Sequence, residues 1–339
     1  MSPTLPNAPA VYSAEPASAA VGTAPSPIRD FLSKRGSGRL ADNSFAAVML
    51  ICACSIFAIV LFIFGILVIH SRPSLVAFGW KFFTRSAWDP VSGDFGALPF
   101  IFGTLATSLL ALCMAVPLAL GVAVFLTELC PRPLRAPISF LTELLAAIPS
   151  VVYGLWGLFV VIPLIRPACN WLHMKMGWLP LFGTDLSGPG MLPAVIVLSI
   201  MILPTITALS RDALISVPPK IRMAAYGLGA TRWETILAVI LPTAARGVFG
   251  GVVLAFGRAL GETMALAMLV GNANQISVSL FSPANTLAAL LANAFPEAHP
   301  KEVGVLMYAA LVLLGITLLV NVIGSIILQR ASAGFEGAK

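Results

Sequence analysis

Six stretches of this sequence are apolar for long enough to cross a lipid bilayer, and that limits the possible folds more than any single motif. They run from about 44 to 69, 99 to 126, 137 to 165, 191 to 209, 248 to 270 and 303 to 328. A spanning helix takes about 20 apolar residues, and within hydrocarbon its backbone polar groups must be satisfied internally. The expected class is therefore all-α, a polytopic membrane protein with six transmembrane helices. Only 10% of the residues are charged, against about 25% in ordinary soluble domains. The first run is long enough to span outright and reads as an uncleaved helix rather than a signal peptide. Residues 1–40, rich in Pro, Ala and Ser, read as a disordered tail, leaving 41–339 as the transmembrane domain.

The net charge of +6 comes from lysines and arginines that punctuate the apolar runs rather than forming a stripe. That pattern points to membrane topology and lipid, not to nucleic acid. With both ends on one side of six spans, 13 of the 20 basic residues fall on that side, six on the other, and Arg258 inside a span. Both termini are expected in the cytoplasm. The five cysteines have neither disulfide nor metal spacing, and His70, His173 and His299 all fall in expected external loops. No phosphate-binding G-x-x-x-x-G-K-[ST] loop and no Ser/His/Asp constellation occurs, so neither an ATP site nor catalysis is expected in this chain.

One polar-helical insert, Lys220 to Pro242, interrupts the apolar pattern on the expected cytoplasmic side. Arg222, Arg232, Trp233 and Glu234 stand among alanines, with Gly227 and Gly229 between them, which predicts two short amphipathic helices joined by a tight glycine turn. Pro218 and Pro219 suit a helix entrance. Such an insert at the cytoplasmic face of a membrane bundle is a docking surface.

Within the membrane, Gly257-Arg258-Ala259-Leu260-Gly261-Glu262 is the sharpest feature. A lone arginine there costs at least about 2.5 kcal/mol, so a partner or an aqueous cavity is expected. Arg258 and Glu262 are four residues apart, on one face of a continuous helix. They read either as a buried ion pair fixing helix register or as residues of a pathway, the guanidinium matching an oxyanion. Gly257 with Gly261, and Gly247 with Gly251, permit close helix approach, within the chain or with a second subunit. In the third run, Pro149 should free the carbonyl of Leu145 for another partner. The result is either a kink or a gate with Glu143, Ser150 and Tyr153 as its polar lining. Pro117 should kink the second run, where Thr104, Thr107 and Ser108 lie about one turn apart.

Met223-Ala224-Ala225, Gly229, Val239 and Leu241-Pro242 fall at the spacings of E-A-A-x3-G-x9-I-x-L-P, so the chain resembles the permeases of bacterial ABC importers. The resemblance implies a type I importer bundle in the inner membrane, with a cytoplasmic coupling loop over 211–245. Arg222, Met223, Ala224, Ala225, Gly229, Arg232, Trp233 and Glu234 would then meet a separate ATP-binding subunit. Met223 stands where the pattern has a glutamate, removing one charge from that contact. GRALGET at 257–263 and IPSVVYG at 148–154 resemble the phosphate-specific permeases, their PstC branch more than PstA. That implies phosphate passage involving Arg258 and Glu262, a PstA-like second permease subunit, two ATP-binding subunits that use ATP and Mg, and a periplasmic phosphate-binding protein. The alternatives are a permease for sulfate or molybdate, or a secondary transporter driven by an ion gradient.

Overall fold

A computed structural model describes the chain from Gly38 to Glu336, with side chains described for residues 42–300 and 302–330. Of the tail expected to be disordered, residues 1–37 lie outside the described residues and 38–40 belong to the first helix. The chain divides after Phe62 into two units. In the first, helix α1 (Gly38–Phe78) exposes every described side chain up to Phe62, as suits a helix surrounded by lipid.

Among the described residues, six helices are long and apolar enough to cross a membrane: Asp42–Phe83, Leu98–Leu129, Ser150–Met176, Met191–Ile215, Arg232–Leu260 and Glu302–Arg330. We name the second of these α2, the third α4, the fourth α5 and the fifth α7. Between them lie α3 (Arg132–Ala147) and α6 (Pro219–Gly227), followed by α8 (Met264–Leu269), α9 (Leu287–Ala294) and α10 (Pro300–Glu336). The only strands among the described residues are β1 (Trp88–Asp89) and β2 (Asp94–Phe95), paired antiparallel.

The centre of the second unit is α5, packed against α2 and α7. Small residues make this possible. Ala111, Ala115, Ala119 and Ala123 recur every fourth position along α2 and are fully buried. On α7, Gly247 lies against Ala213 and Gly251 against Leu209, so close that an added Cβ would sit 2.5 and 2.8 Å from them. Of the two uses open to this glycine pair, packing within the chain is the one observed. Gly257 faces Asn321 of α10.

Two of the expected spans have different limits. The third run is not one helix from 137 to 165: α3 ends at Ala147, Ile148 and Pro149 are extended with ψ of 128° and 141°, and a new helix starts at Ser150. A residue before proline is pushed out of the helical region, and proline brings no N–H to continue the ladder. Pro149 therefore breaks the run rather than kinking it, and the crossing helix α4 extends to Met176, into the expected loop 166–190. The fifth run is likewise cut. α7 begins at Arg232 and stops at Leu260, so 261–263 is a connection and α8 is a separate short helix. In contrast, α2 continues as helix through Pro117, and its last turn, Phe125–Leu129, is a π-helix.

The connections on the side of Trp80 and Trp88 carry structure of their own. Trp88 packs edge-on against Phe95 and Phe100, and Phe82 stacks on Tyr308 of α10 at 4.5 Å. The expected polar loop 271–302 includes α9, seated on α2. The Leu287 N–H donates to Thr104 Oγ1 at 2.9 Å, and Gly103 clears the way, since a Cβ there would be 2.0 Å from the Asn285 carbonyl oxygen.

Candidate functional site

Arg258 stands in the last turn of α7 and is exposed in the isolated chain. Its guanidinium donates to Thr205 Oγ1 at 3.3 Å. The ion pair with Glu262 expected from a continuous helix does not form, because the helix stops at Leu260 and Glu262 lies beyond the turn at Gly261. Of the five guanidinium N–H donors, one is engaged by Thr205.

Thr205 links this residue to a second feature. It lines a cavity of about 130 Å³ with Thr142 and Glu143 of α3 and with Thr207 and Arg211 of α5. Glu143 is thus brought near the partner of Arg258 but makes no ion pair among the described residues, while the buried Nε of Arg211 makes no hydrogen bond and has Asp212 Oδ1 at ion-pair distance, 3.5 Å. The other two residues expected as pathway lining are placed differently. Ser150 opens α4 at the break, half-buried. Tyr153 is buried, and its hydroxyl donates to the Leu145 carbonyl at 2.8 Å. The carbonyl that Pro149 should free has therefore found its partner within the chain, and the Tyr153 hydroxyl is occupied in satisfying it. Next to it, Gly154 and Gly157 pack against α8: an added Cβ would meet Met268 Sδ at 2.7 Å and Leu269 Cδ1 at 2.7 Å.

The polar-helical insert folds as expected in its first half. Pro218 and Pro219 open α6, and the helix ends in a Schellman turn. There the Ala230 N–H donates to the Ala225 carbonyl, the Gly229 N–H to the Tyr226 carbonyl, and Gly229 has φ of +87°. That left-handed conformation favours glycine. The second half is not a separate short helix: it is the start of α7, capped by a reciprocal pair. The Glu234 N–H donates to Thr231 Oγ1, and the Thr231 N–H donates to the Glu234 carboxylate at 2.7 Å.

The expected docking residues divide into two sets. Arg222 donates to the Glu128 carboxylate and to the Leu214 carbonyl, and Arg232 donates to the Glu128 carbonyl. Both arginines turn inward onto the bundle, and Ala225 is buried. Glu234 is taken up by the helix cap. What the insert offers outward is a mixed face with a large apolar share: Met223, Leu228 and Trp233 are 69%, 91% and 57% exposed, with Tyr226, Ala224 and Gly229 exposed among them and Lys220, Arg232 and Glu234 exposed at its edges. Sequence reasoning missed Thr205, Arg211 as a cavity residue, and Glu128. A hydroxyl directly after Pro204 inside a span, and a single acid just before the basic connector Arg132–Arg135, are the signals that could have found the first and the last.

The family described as "Binding-protein-dependent transport system inner membrane component" matches residues 115–333. The phosphate transport system permease protein PstC of Mesorhizobium japonicum is 46% identical over 273 residues, covering 78% of this chain and 82% of the relative. PstC of Haemophilus influenzae is 42% identical, covering 85% and 93%, and a probable PstC of Methanocaldococcus jannaschii is 33% identical, covering 85% and 94%. Among solved structures, a chain of a bacterial alginate ABC transporter superposes with a TM-score of 0.58 at 16% identity, covering 88% of this chain and 98% of that one. A chain of the inward-facing MetNI methionine ABC transporter gives 0.52 at 19% identity, covering 68% and 94%. At such identities these two neighbours speak for the fold, that of an ABC importer permease. By the family match and the relatives together, the chain belongs to the inner-membrane components of binding-protein-dependent transport systems, in their PstC branch.

Proposed function

We propose that this chain is the PstC-type permease subunit of an ATP-driven importer of inorganic phosphate, and that Arg258 marks its translocation path. The chain is a multi-pass inner-membrane protein whose family works with an ATPase and a substrate-binding protein. In the finer reading both termini are cytoplasmic, and a PstA-like permease completes the path. Two ATP-binding subunits, which use the ATP and Mg, dock beneath, and a phosphate-binding protein delivers from the periplasm. The observation that carries the reading is an exposed cation at the broken end of a spanning helix, held by one neutral hydroxyl. A guanidinium so placed offers a bidentate fork to an oxyanion while gripping it too weakly to trap it. Glu262, half-buried and outside the helix, limits that affinity by like-charge repulsion. Glu143 and Ser150 flank the route on the α3–α4 side, and Tyr153 holds the break in shape.

The exposed Met223, Leu228 and Trp233 of the insert support a groove with an apolar floor on the ATPase. Met223 suits that face better than a glutamate would. The test is labelled-phosphate uptake in a strain lacking this chain, complemented with wild-type or Arg258→Gln, with and without the ATPase. Wild-type should restore uptake only with the ATPase, excess sulfate should not compete, and R258Q should assemble but not transport. Unchanged uptake in R258Q removes Arg258 from the path, and competition by sulfate changes the substrate.

A further inference from the structure

The carbonyls of the last helical turn have no partner within a helix, and two spanning helices, α2 and α5, end side by side under the cytoplasmic insert. The insert supplies what they lack. Arg222 of α6 donates to the Leu214 carbonyl at the end of α5 at 2.7 Å, and its other nitrogen donates to the Glu128 carboxylate at the end of α2. Arg232, at the start of α7, donates to the Glu128 carbonyl, and Arg135 of α3 to the Thr127 carbonyl at 2.9 Å. The Arg222 and Glu128 side chains are 22% and 9% exposed, so this pair is shielded from solvent and screened little by salt.

The covalent chain carries any displacement of α6 into α5, three residues before it, and into α7, four residues after it. It offers no such route to α2, since Glu128 is 94 residues from Arg222. An apolar cluster of Ala123, Leu214, Val217, Ile236 and Ile240 lies beneath the insert. Apolar contact is non-directional and permits sliding, whereas a charged, geometrically fixed hydrogen bond resists it.

We infer that Glu128 is the positioning residue that makes α2 follow the insert, so that motion of the ATPases reaches three spanning helices together rather than two. This rests on the proposed function, in that the insert receives the ATPase. The Glu128 side chain acts through Arg222, while the bond from Arg232 goes to its backbone carbonyl and persists whatever side chain stands there.

The test uses the reconstituted complex with its binding protein, measuring phosphate imported and ATP hydrolysed in the same vesicles. In Glu128→Gln the complex should co-purify intact, and phosphate imported per ATP should fall by about five- to fiftyfold, within the range of ordinary coupling between sites. Arg222→Gln should produce the same loss, and the double variant no more than either, because both substitutions cut one link. Arg222→Lys keeps the charge but cannot hold both acceptors, and should lose part of the ratio, which carries the test if E128Q fails to assemble. An unchanged ratio in assembled E128Q, in R222K where only that variant assembles, or losses that multiply in the double variant would overturn the inference. Absence of phosphate transport by the wild-type complex would instead overturn the proposed function.

Discussion

Tyr153→Phe removes one oxygen from a buried site and changes little else, which makes it a sharp probe of how the α3–α4 break is held. The tyrosine is 6% exposed, and its hydroxyl donates to the Leu145 carbonyl at 2.8 Å. That carbonyl lacks its helical donor because position 149 is proline. Losing the hydroxyl leaves a carbonyl without a partner, at a cost of about 1–3 kcal/mol, with the lower end applying where a water replaces the hydroxyl. The ring stays, so no cavity term adds to this. The measurement is equilibrium unfolding of the purified complex in mixed micelles, with Tyr226→Phe as control. Tyr226 is exposed on α6, and its change should stay within about 0.5 kcal/mol. A cost for Y153F within that same margin would show that the break is held by packing alone, and the role given to the hydroxyl would be wrong.

Gly103→Ala would place a Cβ 2.0 Å from the Asn285 carbonyl oxygen and should cost about 1–3 kcal/mol. Because backbone cannot yield as a side chain does, α9 should lift from α2, read as faster hydrogen exchange at Leu287, whose N–H is bonded to Thr104. Trp233→Ala should weaken retention of the ATPase by about 2 kcal/mol, as loss of an aromatic anchor does; undiminished co-purification at low concentration would place the contact elsewhere. Thr231→Ala should destabilise the start of α7 by about 1 kcal/mol, detected as faster proteolysis between α6 and α7. Glu234→Gln, which still accepts from the Thr231 N–H, should cost less.

Hydropathy disclosed the six crossings because a bilayer demands length and apolarity, both written directly in sequence. It did not disclose where helices stop. Pro117 and Pro204 sit inside continuous helices, whereas Pro149 ends one. The difference lies in the partners waiting on either scale: α8, far along the chain, receives Gly154, and Tyr153, eight residues from Leu145, satisfies the freed carbonyl. The pairing of Arg258 with Glu262 failed for the same reason, since four-residue spacing puts side chains together only while the helix continues. Charge in the polar-helical insert was visible, but its direction was not. Arg222 and Arg232 face inward because Glu128 waits 94 and 104 residues away, separations that periodicity does not register. Gly229 was legible because a left-handed helix end has few other occupants.

The alanine stripe of α2 has a consequence for how such a bundle can move. The alanines let α2 and α5 approach closely but give no side-chain knobs that would lock one helix along the other, so the register of α2 falls to the polar ties at its end. Bending, in contrast, is available where the backbone leaves the helix at Ile148–Pro149 and Gly261–Thr263. The second of these follows Arg258 by three residues, so a turn about it carries α8 past the guanidinium.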